Sequence, residues 1–330
     1  MKVAILDDYA NAALTLADWS TVTARASLHV FNDHLADDEI AEVLAPFDVI
    51  CTLRERTTIS EELIARLLNL KMIVVTDPRV TTIDYAAATA AGILVSEGRA
   101  PDSLPYSPAA TPEFAWGLLL ATVRHLAAES QRLRQGQWQH TLGLTLAGRT
   151  LGLVGLGRIG TRMARYAQAF DMRVIAWSRN LTDDAAREAG AVRVDKQDLF
   201  AQSDIVSIHY VLGERSRGLV GAREIAAMKP TAYLVNTSRG PVVDEAALVA
   251  ALRERHIAGA GLDVFDEEPL PRDHPLNGLD NVTLTPHLGF VTEDNMRRFH
   301  AGAALAVAAY LDGRPAHILN PEALMHKRPS

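Results

Sequence analysis

Cysteine is almost absent. Cys51 is the only one in 330 residues, which excludes an internal disulfide and any cysteine-based metal cluster. It lies in the apolar run Asp48-Val-Ile-Cys-Thr-Leu53, a setting for a buried small residue and not for a nucleophile. Positive charge is also in deficit: 33 Lys and Arg face 40 Asp and Glu, for a formal charge of -7. That balance argues against nucleic acid or an acidic membrane as the main partner. Long hydrophobic runs are missing too, since the longest, Phe114 to Val123, is too short to span a bilayer. The opening Met1-Lys-Val-Ala-Ile-Leu-Asp7 reads as a short strand ended by two acids, not as a signal peptide, so a cytoplasmic location is expected. No repeat of fixed period and no low-complexity tract is visible, and no metal site is expected.

What is present is an apolar share of 48% with 22% charged residues, the composition of a folded globular chain long enough for two domains. Short apolar runs (Val3–Leu6, Leu28–Phe31, Val49–Thr52, Met72–Val75, Ile93–Val95) alternate with helical patterns such as Glu61–Leu70 and Ile83–Ala91. Alternating strands and helices predict a parallel sheet covered on both faces. An irregular stretch, 98–108, follows. A long helix is predicted from Thr111-Pro112-Glu113 towards Gln137, with Thr111 as its cap and Pro112 in its first turn. The alternation then resumes, with strands at Arg173–Trp177, Ala191–Val194, Ile205–His209, Ala232–Val235, Ala260–Phe265 and Val282–Leu284. A last alanine-rich helix spans Glu293 to Leu311. Two long helices bracketing the second α/β unit predict one domain inserted into another. In such folds ligands bind at the carboxyl ends of the strands, here in the crevice between the domains.

The most informative segment is Thr150-Leu-Gly-Leu-Val-Gly155-Leu-Gly157-Arg-Ile-Gly160, a strand that turns on glycines into the amphipathic helix Arg158–Phe170. Of the three glycines, one permits the tight turn, one admits a pyrophosphate against the backbone, and one lets helix pack on strand. The helix start adds free N–H groups and partial positive charge for the phosphates. Three further polar residues follow predicted strands: Arg239 before Gly240-Pro241, Glu268 in Asp263-Val-Phe-Asp-Glu-Glu-Pro-Leu270, and His287 in Leu284-Thr-Pro-His-Leu-Gly289. Each alone is compatible with a salt bridge, a solvated turn or a structural histidine. Together they suit hydride transfer at a hydroxyl-bearing carbon. Histidine carries the proton, a carboxylate orients it and favours its charged form, and arginine grips a substrate carboxylate bidentately and polarises the carbonyl.

With these residues in place, the chain resembles the D-isomer-specific 2-hydroxyacid dehydrogenases. The resemblance runs nearly end to end. It rests on the glycine turn, Val206-Ser-Ile-His209, Met228-Lys-Pro-Thr-Ala-Tyr-Leu-Val-Asn-Thr-Ser-Arg-Gly240, Gly261-Leu-Asp-Val-Phe265, Glu268-Pro-Leu270, Thr285-Pro-His287, Leu311-Asp-Gly-Arg-Pro315 and Leu319-Asn-Pro321. It implies a Rossmann NAD(P)-binding domain (102–288) inserted into a flavodoxin-like substrate domain (1–101 and 289–330). It implies that Arg239 binds the substrate carboxylate, that His287 is the acid/base and that Glu268 is its partner. By the same resemblance Asp263 meets the nicotinamide, and Arg158 and Ile159 lie under the pyrophosphate with Gly155, Gly157 and Gly160. Thr111, Val211, Ser216, Thr237, His287 and Gly289 line the cofactor cleft. The family's formate dehydrogenases carry glutamine where this chain has Glu268, so hydroxyacid chemistry is implied. Also implied is a homodimer made through the cofactor domains, with the Thr111–Gln137 region at the contact.

Two departures stand out. The second strand of the cofactor domain ends Trp177-Ser178-Arg179, where NAD-specific members usually place an aspartate on the ribose hydroxyl. Serine removes a charge that would repel a 2′-phosphate, and Arg179 can pair with one, so NADP is favoured over NAD. The loop Val75-Thr-Asp77-Pro-Arg79-Val replaces a glycine-rich segment whose N–H groups hold the substrate carboxylate in many members. Arg79, with Arg54 or Arg56, would compensate and favour a second anionic group. In the other reading Arg54 pairs with Glu55 or Asp77 and the substrate is small. The expected reaction is interconversion of a 2-keto acid and a D-2-hydroxy acid, with glyoxylate or hydroxypyruvate favoured. The alternatives are 3-phosphoglycerate dehydrogenation and, more remotely, a dinucleotide-sensing protein akin to the transcriptional corepressors built on this scaffold.

Overall fold

The structure is a computed structural model, and it describes residues 1–326. The described residues divide into two compact units, 1–107 with 292–326, and 108–291.

The first unit holds five strands, β1 (Lys2–Ile5), β2 (Ser27–Val30), β3 (Val49–Cys51), β4 (Met72–Val75) and β5 (Leu94–Glu97), all parallel in the order β2-β1-β3-β4-β5. This is the flavodoxin-like order, whose reversal falls between β1 and β3. Strand periodicity builds two cores from one sheet. Ala4 and Leu6 join Ile50, Ile64 and Leu67 on one face. Val3 and Ile5 join Trp19, Val49 and Val307 on the other. Such double-sided burial explains why β3 and β4 read as apolar runs without polar alternation, whereas the edge strand β2 alternates. The Glu293–Leu311 helix covers the second face with Ala303, Ala304, Ala306 and Val307. Its residue range matches the sequence expectation, and Thr292 Oγ1 caps it by accepting from the Asn295 N–H at 3.4 Å. Cys51 is buried within this core, and burial pushes its thiol up to about 12, which removes it as a nucleophile.

The second unit contains β6 (Thr150–Val154), β7 (Arg173–Trp177), β8 (Val192–Arg193), β9 (Ile205–Ile208), β10 (Tyr233–Asn236), β11 (Gly259–Leu262) and β12 (Val282–Leu284). They form one parallel sheet in the order β12-β11-β10-β9-β6-β7-β8, a doubly wound Rossmann arrangement with its reversal between β6 and β9. Again each face has its own core, one around Phe200, Leu234 and Leu252, the other around Leu119, Leu151 and Met163.

The structure corrects the sequence reading of the first long helix. It begins at Ala110, with Ala109 as an N-cap that makes no side-chain bond, so Thr111 lies inside the first turn and is not the cap. Nor does it reach Gln137. It ends at Val123, His125 takes a left-handed φ of 53°, and a separate helix runs Leu126–Arg134. The break has a local cause: the Leu144 N–H donates to the Val123 carbonyl at 2.9 Å, taking the acceptor that a continuing helix would use. No described helix is long and apolar enough to cross a membrane.

Candidate active site

The glycine turn closes the carboxyl end of β6. Gly155 has φ +97°, and a Cβ there would stand 2.5 Å from the His209 carbonyl oxygen. At Gly160 a Cβ would stand 2.2 Å from the Gly155 carbonyl oxygen, so strand and helix are packed backbone to backbone. Gly157 differs, because a Cβ there would meet nothing within 4 Å. It is also the N-cap of the Arg158–Ala169 helix and no side chain caps that helix. Open space above uncapped N–H groups fits a pyrophosphate. Further along the same sheet edge, Thr237 is buried and its hydroxyl has no hydrogen-bond partner within the protein, another polar atom suited to a ligand. The residues present therefore fit a dinucleotide.

The other proposed cofactor residues are more varied. Ser178 is half-buried and Arg179 exposed at the end of β7, with Arg179 Nη2 donating to the Arg215 carbonyl at 3.4 Å. The Ser216 hydroxyl is buried and closes its own turn, accepting from the Gly213 N–H at 2.8 Å and donating to the Val211 carbonyl at 2.7 Å. Val211 is 86% exposed. Arg158 is exposed and Ile159 half-buried at the helix start.

Arg239, Glu268 and His287 come together. His287 Nδ1 and Glu268 Oε2 are 2.6 Å apart, while Glu268 Oε1 accepts from the Phe265 N–H at 2.9 Å. One carboxylate is thus fixed at both oxygens, and the ring it orients leaves Nε2 for other work. Burial pushes the Glu268 carboxyl upward, but the His287 hydrogen bond and charge, the Phe265 N–H and the Arg239 guanidinium outweigh it and hold it below the ordinary value. Arg239 is placed by its own strand end: Asn236 Nδ2 donates to the Arg239 carbonyl at 3.0 Å and Asn236 Oδ1 accepts from the Ser238 N–H at 3.0 Å.

His287 has φ 53°, a left-handed conformation that costs roughly 1–3 kcal/mol and persists only when its surroundings enforce it. Asp263 supplies that constraint. Its Oδ1 accepts from Thr285 Oγ1 and the Leu288 N–H, both at 2.7 Å, and its Oδ2 accepts from the Gly289 N–H at 2.9 Å. The bonds grip the chain on both sides of the histidine. Burial raises the Asp263 carboxyl against these bonds and the charge of His287. A Cβ on Gly289 would lie 3.2 Å from Asp263 Oδ2 and 3.5 Å from Thr111 Cγ2, so Thr111, Asp263 and Gly289 are also neighbours. The sequence marked Asp263 as a cofactor residue but not as the anchor of the histidine loop. Only the spacing of Thr285, Leu288 and Gly289 about His287 hinted at it.

Arg54 and Arg79 belong to the first unit, where they converge on one carboxylate. Asp77 Oδ2 accepts from Arg54 Nη1 at 2.9 Å and Arg79 Nη2 at 2.8 Å, and Oδ1 accepts from Arg79 Nε and the Arg79 N–H, both at 3.0 Å. Burial raises the Asp77 carboxyl, but these bonds and both guanidinium charges pull it down to about 2. Arg54 also stands 3.9 Å from Glu55, so the pairing of Arg54 with its acidic neighbours is the one observed. Arg56 turns elsewhere, donating to the Asp7 carbonyl at 2.8 Å with its guanidinium 4.6 Å from the Tyr9 ring centre. The buried Asp7 carboxylate, which accepts from Thr57 Oγ1 at 2.6 Å, was visible in the sequence only as the end of a strand. Among the described residues, no group of three or more His, Cys, Asp and Glu side chains could hold a metal.

Comparison with known proteins gives this geometry a context. Residues 116–289 match the model for the NAD binding domain of D-isomer specific 2-hydroxyacid dehydrogenases. The chain is 41% identical over 257 residues to the glyoxylate reductase of Aeropyrum pernix, covering 75% of each chain. It is 36% identical over 300 residues to that of Thermococcus litoralis, covering 88% of each. Among solved structures, a phosphoglycerate oxidoreductase from Vibrio cholerae superimposes with a TM-score of 0.87 at 36% identity, over 95% of this chain and 99% of that one.

Proposed function

The chain belongs to the D-isomer specific 2-hydroxyacid dehydrogenase family, and from that premise we propose that it reduces a small 2-keto acid of the glyoxylate or hydroxypyruvate type to the D-2-hydroxy acid. It is an NAD(P)-dependent oxidoreductase acting on CH–OH groups. The observation that carries the proposal is the 2.6 Å His287–Glu268 pair with the Arg239 charge beside it. Arg239 takes the substrate carboxylate and polarises the adjacent carbonyl. His287 delivers a proton to the carbonyl oxygen as it becomes a hydroxyl, and Glu268 holds the ring in position. The nicotinamide, when bound, supplies the hydride in reduction and takes it back in oxidation. Gly155, Gly157, Arg158, Ile159 and Gly160 would hold the pyrophosphate, with Thr111, Val211, Ser216, Thr237, Asp263 and Gly289 around the rest of the dinucleotide. Arg54 and Arg79 are assigned to substrate recognition.

NADP is the favoured cofactor. Its 2′-phosphate would find Ser178 in place of an acid, with Arg179 and Arg215 nearby. Ser178→Asp should shift the preference towards NADH, and an unchanged NADPH/NADH ratio of kcat/KM would remove this argument. A homodimer is supported by four exposed apolar side chains in the second unit: Leu126, Leu133, Trp138 and Leu142 are each more than half exposed. The proposed setting is the cytoplasm, without nucleic acid or membrane as partner. Similarity to a phosphoglycerate oxidoreductase supports a second reading, in which the acid is phosphorylated.

The deciding experiment follows oxidation of NADPH and NADH against glyoxylate, hydroxypyruvate, pyruvate and 3-phosphohydroxypyruvate. Turnover of glyoxylate or hydroxypyruvate to the D-product supports the reading. Preference for the phosphorylated acid replaces it with the second. Tight cofactor binding with no turnover of any acid would favour a dinucleotide sensor.

A further inference from the structure

The carboxyl edge of the first unit's sheet has features of a discriminating surface. It holds the β1/β3 reversal point, where open parallel sheets place their ligands. Three non-glycine residues there, Asp7, Asn11 and Arg54, have φ between 50° and 60°. Arginine takes this conformation reluctantly, and the Arg54 N–H is held in it by Thr76 Oγ1 at 3.0 Å. The charges around Arg54 do not amount to an anion site. The loops after β1, β3 and β4 carry three guanidiniums (Arg54, Arg56, Arg79) and four carboxylates (Asp7, Asp8, Glu55, Asp77), so these loops hold no surplus of positive charge. Asp77 is the pivot. Its side chain is only 13% exposed and receives four donors, three of them guanidinium N–H groups.

We propose that Asp77 is a charge selector: by occupying Arg54 and Arg79 it restricts the enzyme to 2-keto acids whose substituent beyond the carbonyl bears no negative charge. The inference rests on the reading above that these arginines meet the substrate. A carboxylate or phosphate on the substituent must displace Asp77 from a guanidinium or sit unpaired beside it, and either penalises binding. A neutral hydrogen or hydroxymethyl group meets no such penalty. The same geometry explains how a loop without a glycine-rich donor segment keeps its arginines ordered, because Arg79 closes a bidentate fork on the carboxylate two residues before it.

The test compares kcat/KM for hydroxypyruvate with that for 3-phosphohydroxypyruvate and oxaloacetate, in the wild type, Asp77→Asn and Arg79→Gln. The wild type should favour hydroxypyruvate. Asp77→Asn keeps the shape and removes the charge, and should raise the relative use of both acids that bear a second anionic group by about tenfold or more. Arg79→Gln leaves the carboxylate with one guanidinium fewer and should move the ratio the other way, so the proposal remains testable if Asp77→Asn folds poorly. A wild type that prefers the acids with a second anionic group overturns the selector. So do ratios that stay fixed across folded variants, and in that case hydroxypyruvate turnover leaves the reading of the reaction intact. Absence of turnover with every acid, despite normal cofactor binding, would remove the reaction reading and the selector with it.

Discussion

Both sheets are parallel, both end in loops that carry arginine, and both edges hold a non-glycine residue in a left-handed conformation, yet the two edges use their carboxylates in opposite ways. In the second unit Glu268 is committed to a histidine and to the Phe265 N–H, and Asp263 to the loop that carries that histidine. Arg239 stands near this pair, and its guanidinium helps hold the Glu268 carboxyl below its ordinary value. In the first unit Asp77 is committed to the arginines themselves. On our reading, one edge uses acids to aim a proton carrier, and the other uses an acid to temper positive charge. The same chemistry of charge-assisted hydrogen bonding would then serve reaction at one edge and discrimination at the other.

Substitutions can break that division of labour. The largest effect is expected at His287. His287→Gln should lower kcat by roughly 10²–10⁴-fold, the span of general acid–base catalysis, while cofactor affinity measured by nucleotide fluorescence stays near normal. Near-normal turnover would transfer the proton to another group. Glu268→Gln should act more gently. The amide keeps the shape of the side chain but loses the charge-assisted bond that fixes the ring, so kcat for reduction should fall by less than in His287→Gln while cofactor affinity stays near normal. An unchanged kcat with a lower Tm would confine Glu268 to a structural role. The linkage to stability has a definite sign as well. A carboxyl held below its ordinary value in the folded state stabilises above the unfolded value, and that contribution is lost as pH falls through the folded one.

The smallest effect on the chemistry belongs to Asp263→Asn. Its amide keeps one acceptor but sets an N–H against the Gly289 N–H, at a cost of about 1–3 kcal/mol that should appear as a lower Tm. A fall in kcat that exceeds any loss of cofactor affinity would show that the lesion reaches His287. An unchanged Tm would mean the left-handed loop is held by other contacts. The Asp77 variants sharpen the contrast from the other side, since they should alter which acids are used while leaving the Glu268–His287 pair intact.

Much of this organisation was legible in advance. The strand patterns placed β4, β7 and β12 to the residue, most plainly β4, which is buried on both faces and so needs unbroken apolar sequence. The Glu293–Leu311 helix was equally plain, with Thr292 and two acids at its start. The glycine turn was readable because its constraints are local: a positive φ at Gly155 and contact between Gly155 and Gly160 lie within six residues. The helix that stops at Val123 was not, since Ala110 to Arg134 is continuous in pattern and its break depends on Leu144 returning to take a carbonyl. The fate of Arg54 was undecided for a similar reason, as its partner is 23 residues away on another strand's loop.

The sequence by itself determined the architecture and the reaction class, because periodicity, glycine geometry and the placing of polar residues after strands act over a few residues at a time. Tertiary structure alone decided the pairings. His287 meets Glu268 across 19 residues, Asp263 grips a loop more than 20 residues distant, and Asp77 joins two arginines from different loops. Hydrogen bonds and charge interactions act over a few ångströms of space and are indifferent to separation along the chain, so their partners are fixed only when the strands take their register.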